Sequence, residues 1–130
     1  MAQLLYVDTN ILIYLLERHT HYSQRVANEL DNFTADPDAK LVTSAITVTE
    51  FLAGTKSSSL ATLHNVPRLE LIALDAQLAE KAGDIMRKNS IQIGDAIHLA
   101  TAIHLSADLL FTNDKQLIKL AEKYLESKAP

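Results

Sequence analysis

No cysteine occurs among the 130 residues, which excludes disulfides, thiolate metal sites and a cysteine nucleophile. Glycine is nearly as scarce. Gly54, Gly83 and Gly94 are the only three and stand far apart, so neither a Gly-rich dinucleotide loop nor a Walker-type phosphate loop can be built. Tryptophan is missing and aromatic residues make up 5%, which leaves little for reading RNA bases by stacking. The absence of a Gly-x-Ser-x-Gly elbow argues against an acyl-transfer hydrolase. The longest apolar run, Ile11 to Leu16, falls far short of the ~20 residues that a bilayer-spanning helix needs. No basic region precedes the first strand-like segment, so no secretory signal is expected, and the composition suits a reducing cytoplasm. Positive charge is also in deficit: 12 Lys+Arg against 16 Asp+Glu give a net charge of −4. That disfavours holding nucleic acid by a bulk positive field, but leaves room for an enzyme that meets phosphate through bound cations.

What is present reads as one ordinary globular domain over residues 1–130, with 48% hydrophobic and 22% charged residues. Gln3–Val7 is an apolar run that reads as a buried strand, and Thr9 or Asn10 is placed to cap a helix behind it. Tyr22, Val26, Leu30 and Phe33 recur at helical spacing up to the Asp36-Pro37-Asp38 turn. Lys40–Thr43 reads as a second strand, with Ser44 capping a helix that closes at Gly54. The stretch after Thr55 opens on Ser57–Ser59 and turns helical. A third strand spans Leu69–Leu74, and Asp75 caps a helix reaching about Asn89. A helix from Gly94-Asp95, a strand Leu109–Thr112 and a final helix from Asp114, continuing through Leu117–Leu125, complete the chain. Strand and helix alternate throughout, which predicts an α/β fold of three layers, with helices on both faces of a central parallel sheet of four to five strands. Ligands in such folds collect outside the carboxyl ends of the strands.

Four acids recur where that rim would lie. Asp8 ends the first strand, Glu50 lies on the helix after the second, Asp95 opens a helix, and Asp114 follows the fourth strand. Carboxylates gathered together raise one another's pKa unless cations neutralise them. Hard divalent ions with oxygen ligands, Mg²⁺ or Mn²⁺, are the natural partners, and could orient a water for phosphodiester cleavage. Taken singly, each acid has a plainer reading. Asp8 and Asp114 could cap helices, Asp95 suits a helix N-terminus, and Glu50 could sit on a solvated face.

In these residues the chain resembles the PIN domain, and within it the VapC-like toxin ribonucleases of toxin–antitoxin pairs. Val7-Asp8-Thr9-Asn10 with Ile11-Leu12 is similar to the family's first motif, and Ser44…Thr47…Glu50 to its second. Asp95-Ala96-Ile97-His98-Leu99-Ala100-Thr101-Ala102 is similar to the third and most specific, and Thr112-Asn113-Asp114 to the fourth. The resemblance runs over roughly residues 3–120. It implies a metal-dependent endoribonuclease in which Asp8, Asp95 and Asp114 hold Mg²⁺ or Mn²⁺ and Glu50 positions the attacking water. Asn10 and Thr112 would orient those carboxylates. It further implies an antitoxin partner that covers the site and a homodimer. Two departures bear on partner geometry. The segment between Gly54 and Pro67 is short, and Leu117–Leu125 reads as helix where the family often finishes with a short edge strand.

Other residues carry less. His98, one turn after Asp95, reads mainly as a hydrogen-bonded packing residue, and His19 with His21 lacks the further ligands a zinc site needs. Lys115 and Arg87, with Lys88, Lys56 and Arg68, are the candidates for phosphate contact, although cations at a helix end such as Arg87-Lys88 are favoured by the dipole in any case. An aspartyl-phosphate phosphatase would need a second Asp two positions after Asp8, where Asn10 stands. A non-catalytic module whose acidic rim receives a basic partner segment remains the alternative from another class.

Overall fold

Period-two alternation in the first strand decides which helices it meets. The computed structural model describes residues 3–56 and 60–130, and the Ser57–Ser59 tract lies outside them. The described elements are β1 (Leu4–Val7), α1 (Thr9–Leu16), α2 (Ser23–Thr34), β2 (Lys40–Ser44), α3 (Ile46–Gly54) and α4 (Leu60–His64). They continue with β3 (Leu69–Ile72), α5 (Ala76–Lys88), α6 (Ile93–His104), β4 (Leu109–Phe111), α7 (Lys115–Ala121) and β5 (Ser127–Lys128). Leu5 and Val7 of β1 pack with Ile11, Val26, Leu30, Phe51 and Leu63 from α1 to α4. Tyr6 packs on the opposite face with Ala82, Leu99 and Leu117 from α5, α6 and α7. The result is the expected three-layer α/β/α arrangement, held by two apolar layers in which each fully buried Leu, Ile or Phe contributes about 1.5–3 kcal/mol.

All five strands are parallel and run in the order β3-β2-β1-β4-β5. The chain leaves β1 toward β2 and β3, then crosses back to place β4 and β5 on the other side. That reversal puts the topological switch point, where ligands of such folds collect, at the carboxyl ends of β1 and β4. There the Asp8 amide donates to the Phe111 carbonyl at 2.9 Å, fixing the two strand ends side by side.

Three expectations are corrected. The first helix is capped not by Thr9 or Asn10 but by Asp8, whose side chain accepts from the Thr9 amide, because the strand ends at Val7 and helical backbone begins at Thr9. The last helix stops at Ala121 rather than continuing to Leu125. The chain turns there and lays β5 along β4, satisfying backbone groups of that strand: the Leu110 amide donates to the Glu126 carbonyl and the Thr112 amide to that of Lys128. The family's edge strand is therefore present. Arg68 is not free to meet phosphate. Its backbone has φ of 67°, and its guanidinium donates to the carbonyls of Thr34, Asp36, Pro37 and Ala39 at 2.6–3.1 Å. It bolts the turn between α2 and β2 to the start of β3.

Candidate active site

At the end of β1, Asp8 is only 4% exposed. A carboxylate so buried needs partners, and it has them. Oδ1 accepts from the Thr9 amide at 2.8 Å, while Oδ2 accepts from the Thr112 hydroxyl at 2.6 Å and the Asn10 amide group at 3.3 Å. Asn10 in turn accepts from the Asn113 amide, and Thr112 from the Asp114 amide. Asn10 and Thr112 thus both hydrogen-bond Asp8 and tie it to the loop after β4.

Glu50 reaches the same place from α3. Its Oε1 accepts from the Thr9 hydroxyl at 2.8 Å and lies 2.6 Å from His98 Nε2. Its Oε2 comes so close to the α6 backbone that a Cβ on Gly94 would stand 2.7 Å away; a glycine is required there for this approach. Asp114 caps α7, its Oδ1 accepting from the amides of Gln116 and Leu117. The capping reading is thus correct for Asp8 and Asp114. It does not displace the other one, since both stand within electrostatic reach of Asp95. Asp95, in the first turn of α6, makes no hydrogen bond or ion pair through its side chain among the described residues. Partial burial, then the charges of Asp114 and Asp8, push its carboxyl up to about 6.

His98 is the residue that sequence reasoning undervalued. The ring is fully buried. Nδ1 lies 2.7 Å from the Tyr6 hydroxyl, and Nε2 contacts Glu50, Thr9 and, at 3.3 Å, Asp8. Burial alone would push the imidazole down. The Glu50 hydrogen bond and the charges of Asp8, Glu50 and Asp95 override it and hold His98 above the ordinary histidine range. Reciprocally, burial would raise Glu50, but the hydrogen bond and charge of His98 and the bond from Thr9 bring it below the usual carboxylate range. His98 thus favours its charged form toward the Asp8–Glu50 side. Behind it, the hydroxyls of Thr43 and Thr47 lie 2.7 Å apart and those of Thr47 and Thr9 3.1 Å apart, while Tyr6 accepts from the Ser44 amide. The available signal was spacing: Thr47 precedes Glu50, and His98 follows Asp95, by three residues, which on a helix puts each pair on one face.

The four acids come together, and Asn10 and Thr112 support them. Lys115 stands exposed beside Asp114, whereas Arg87 is exposed in the last turn of α5, with no hydrogen bond or ion pair joining it to the acids. A further tether was not foreseen: the Asn113 side chain donates to the Tyr14 hydroxyl at 3.0 Å, and Tyr14 stacks on Tyr22 with His19 against both rings. His19 Nδ1 accepts from the amides of His21 and Tyr22, so this histidine organises a turn.

The donor set is hard oxygen, and the repulsion felt by Asp95 is the kind a divalent cation relieves. Among the described residues no three His, Cys, Asp or Glu side chains form a ready-made metal cage. Such a rim fits an ion that keeps several waters and takes few carboxylates directly, the habit of Mg²⁺.

No curated protein sequence matches the chain. Among solved structures it is similar to the VapBC2 complex of Rickettsia felis bound to a DNA fragment from its promoter. That match has a TM-score of 0.74 and 21% identity and covers 98% of this chain and 99% of that one. It is also similar to a toxin–antitoxin complex from Klebsiella pneumoniae, with a TM-score of 0.70 and 23% identity over 87% and 88% of the two chains. A third likeness is to VapC20 of Mycobacterium tuberculosis, a toxin that cleaves the sarcin–ricin loop, with a TM-score of 0.70 and 15% identity over 94% and 97%. The family model for the PIN domain matches residues 5–123, all four acids included, and the chain belongs to the PIN domain family.

Proposed function

We propose that this protein is a divalent-metal-dependent endoribonuclease that cleaves RNA phosphodiesters with water, as the toxin of a toxin–antitoxin pair acting in the cytoplasm. The observation that carries the reading is the gathering of Asp8, Glu50, Asp95 and Asp114 into one rim, where burial and the charges of Asp114 and Asp8 outweigh that of His98 at Asp95. Asp8, Asp95 and Asp114 would hold Mg²⁺, or Mn²⁺ in its place. When bound, the ion supplies Lewis-acid polarisation of the scissile phosphate and makes water a better nucleophile at neutral pH. The protein's own groups do the rest. Thr112 and Asn10 fix the Asp8 carboxylate, and His98 with Thr9 holds Glu50 ionised and aimed across the rim, where it orients the attacking water. The products would be a 5′-phosphate and a 3′-hydroxyl. A cognate antitoxin is part of the same proposal, supported by the toxin–antitoxin complexes among the structural relatives, and a homodimer is proposed with it.

A second reading is a PIN-like binding module that receives a basic partner segment and cleaves nothing. What favours it is that His98 already neutralises one side of the rim and no ready-made cage exists among the described residues. Cleavage of a mixed RNA pool separates the two, run with Mg²⁺, Mn²⁺ or EDTA beside Asp95→Asn. Metal-dependent cleavage that falls by about 10²-fold or more in the variant, the scale of losing one preorganised electrostatic group, is the expected result. A folded, partner-free protein that cuts nothing with either metal would favour the binding module.

A further inference from the structure

Beside the acidic rim, a cleft of about 360 Å³ opens between the 89–91 loop and α7. Its position is set by the chain on both sides. The Gln116 amide at its mouth donates to Asp114, and the loop opposite runs into Gln92, which caps the helix carrying Asp95 in its first turn. Its two walls are thus continuous in the chain with Asp114 on one side and with Asp95 on the other. Its walls include Ser90, Gln116, Lys119 and Lys123, with Glu122 as the single carboxylate.

Lysines recur every four residues here, at Lys115, Lys119 and Lys123. Lys115 and Lys119 stand one turn apart on α7, a rise of about 6 Å, comparable with the step between successive phosphates of an extended strand, while Lys123 lies in the turn beyond the helix end and lines the same cleft as Lys119. Among the described residues none of the three lysines is in an ion pair. Lys128, by contrast, is paired with Glu29 at 2.7 Å, and Arg68 is taken up by carbonyls. Among the described residues the Ser90 hydroxyl and the Gln116 carboxamide likewise have no hydrogen-bond partner, while Asn89 donates to the Ile85 carbonyl. Cations with neutral donors are the chemistry of a phosphodiester backbone, which positions a strand without reading its bases. In a chain of net charge −4, a local device of this kind is what a polyanion needs.

We infer that this cleft carries the backbone of single-stranded RNA on one side of the scissile bond, with Lys119 and Lys123 against its phosphates and Lys115, beside Asp114, nearest the cut. The inference rests on the ribonuclease reading for its substrate, and its test can fail separately. Binding of a fluorescent, mixed-sequence RNA oligonucleotide is followed against salt concentration in the Asp95→Asn background. The cleavage rate is followed in the otherwise unchanged protein.

In Lys119→Ala/Lys123→Ala, log affinity against log salt is expected to flatten by about 1.4, at roughly 0.7 per lost contact to a single strand. KM should rise about tenfold with kcat unchanged, while Glu122→Gln should lower KM. Cleavage by the parent with slope and KM unmoved in both variants overturns the cleft and leaves the nuclease standing. Binding with the expected flattening, but no cleavage by the parent under any metal, keeps the cleft and overturns the nuclease. A parent that binds no RNA, or weakened binding of an acidic peptide with RNA binding unmoved, overturns the cleft assignment.

Discussion

The two sides of the acidic rim are built on opposite plans. On one, Asp8 and Glu50 are buried or half-buried and held by Thr9, Thr112, Asn10 and the imidazole of His98. On the other, Asp114 spends one oxygen on a helix cap, and Asp95 faces it with no partner of its own among the described residues. The first side is complete once the chain has folded, and its charges are compensated from within. The second is left with a repulsion that folding does not relieve. The difference shows where an external cation is needed and where it is not.

Removing the internal cation should break the contrast most forcefully. His98→Ala leaves Asp8 and Glu50 facing each other without compensation; a fully buried charged pair would lose about 3–5 kcal/mol, and because the Glu50 side chain is 36% exposed solvent screening lowers this to about 2–3 kcal/mol. Urea unfolding should show a loss of that size at pH 7. A loss below about 1 kcal/mol would mean that His98 is only a packing residue. Gly94→Ala acts on geometry instead. The new Cβ meets Glu50 Oε2 at 2.7 Å, and the end of a flexible side chain can swing away, so stability should move by less than about 1 kcal/mol. Cleavage should nevertheless fall about tenfold as Glu50 loses its aim, which a KM-against-kcat measurement would assign to kcat.

The smallest effect sharpens the other side. The Asp95 carboxyl is raised to about 6 from its ordinary value of 3.8, so between these pH values the folded state binds more protons than the unfolded one. Stability therefore falls as pH rises through that window. Asp95→Asn removes this penalty and should raise stability at pH 7 by about 1 kcal/mol once solvent screening is allowed for. Little gain is expected near pH 4, and saturating Mg²⁺ should shrink the gain at pH 7 by stabilising the parent. A destabilised variant at pH 7 would show that Asp95 is structural.

Much of this was legible in the residues. The strand–helix alternation gave the layers, and the acids at strand ends and helix starts marked the rim, because both depend on short-range pattern and on the fixed geometry of parallel sheets. The two-residue strand β5 was not legible: Leu117, Leu120 and Ala121 set a helical period that Tyr124 and Leu125 continue, past Ala121, where the helix ends and the chain turns to pair with β4. Nor was the fate of Arg68, whose acceptors are backbone carbonyls that belong to no sequence pattern. His98 was visible one turn from Asp95. Its partners, however, come from β1, α1 and α3, up to 92 residues away, and only their convergence distinguishes a hub from a packing residue.

The bond between Thr112 and Asp8 spans 104 positions of the chain. Contacts of such separation are slow to close and come late in folding, so Thr112→Val should speed unfolding while leaving the folding rate unchanged. During synthesis the N-terminal strand emerges first, yet it waits for β4 to appear beside it before Asp8 is fixed and Asp114 arrives. A ribosome making this protein must thus have passed from Asp8 to Asp114 before the nascent chain can assemble the constellation proposed to cut RNA.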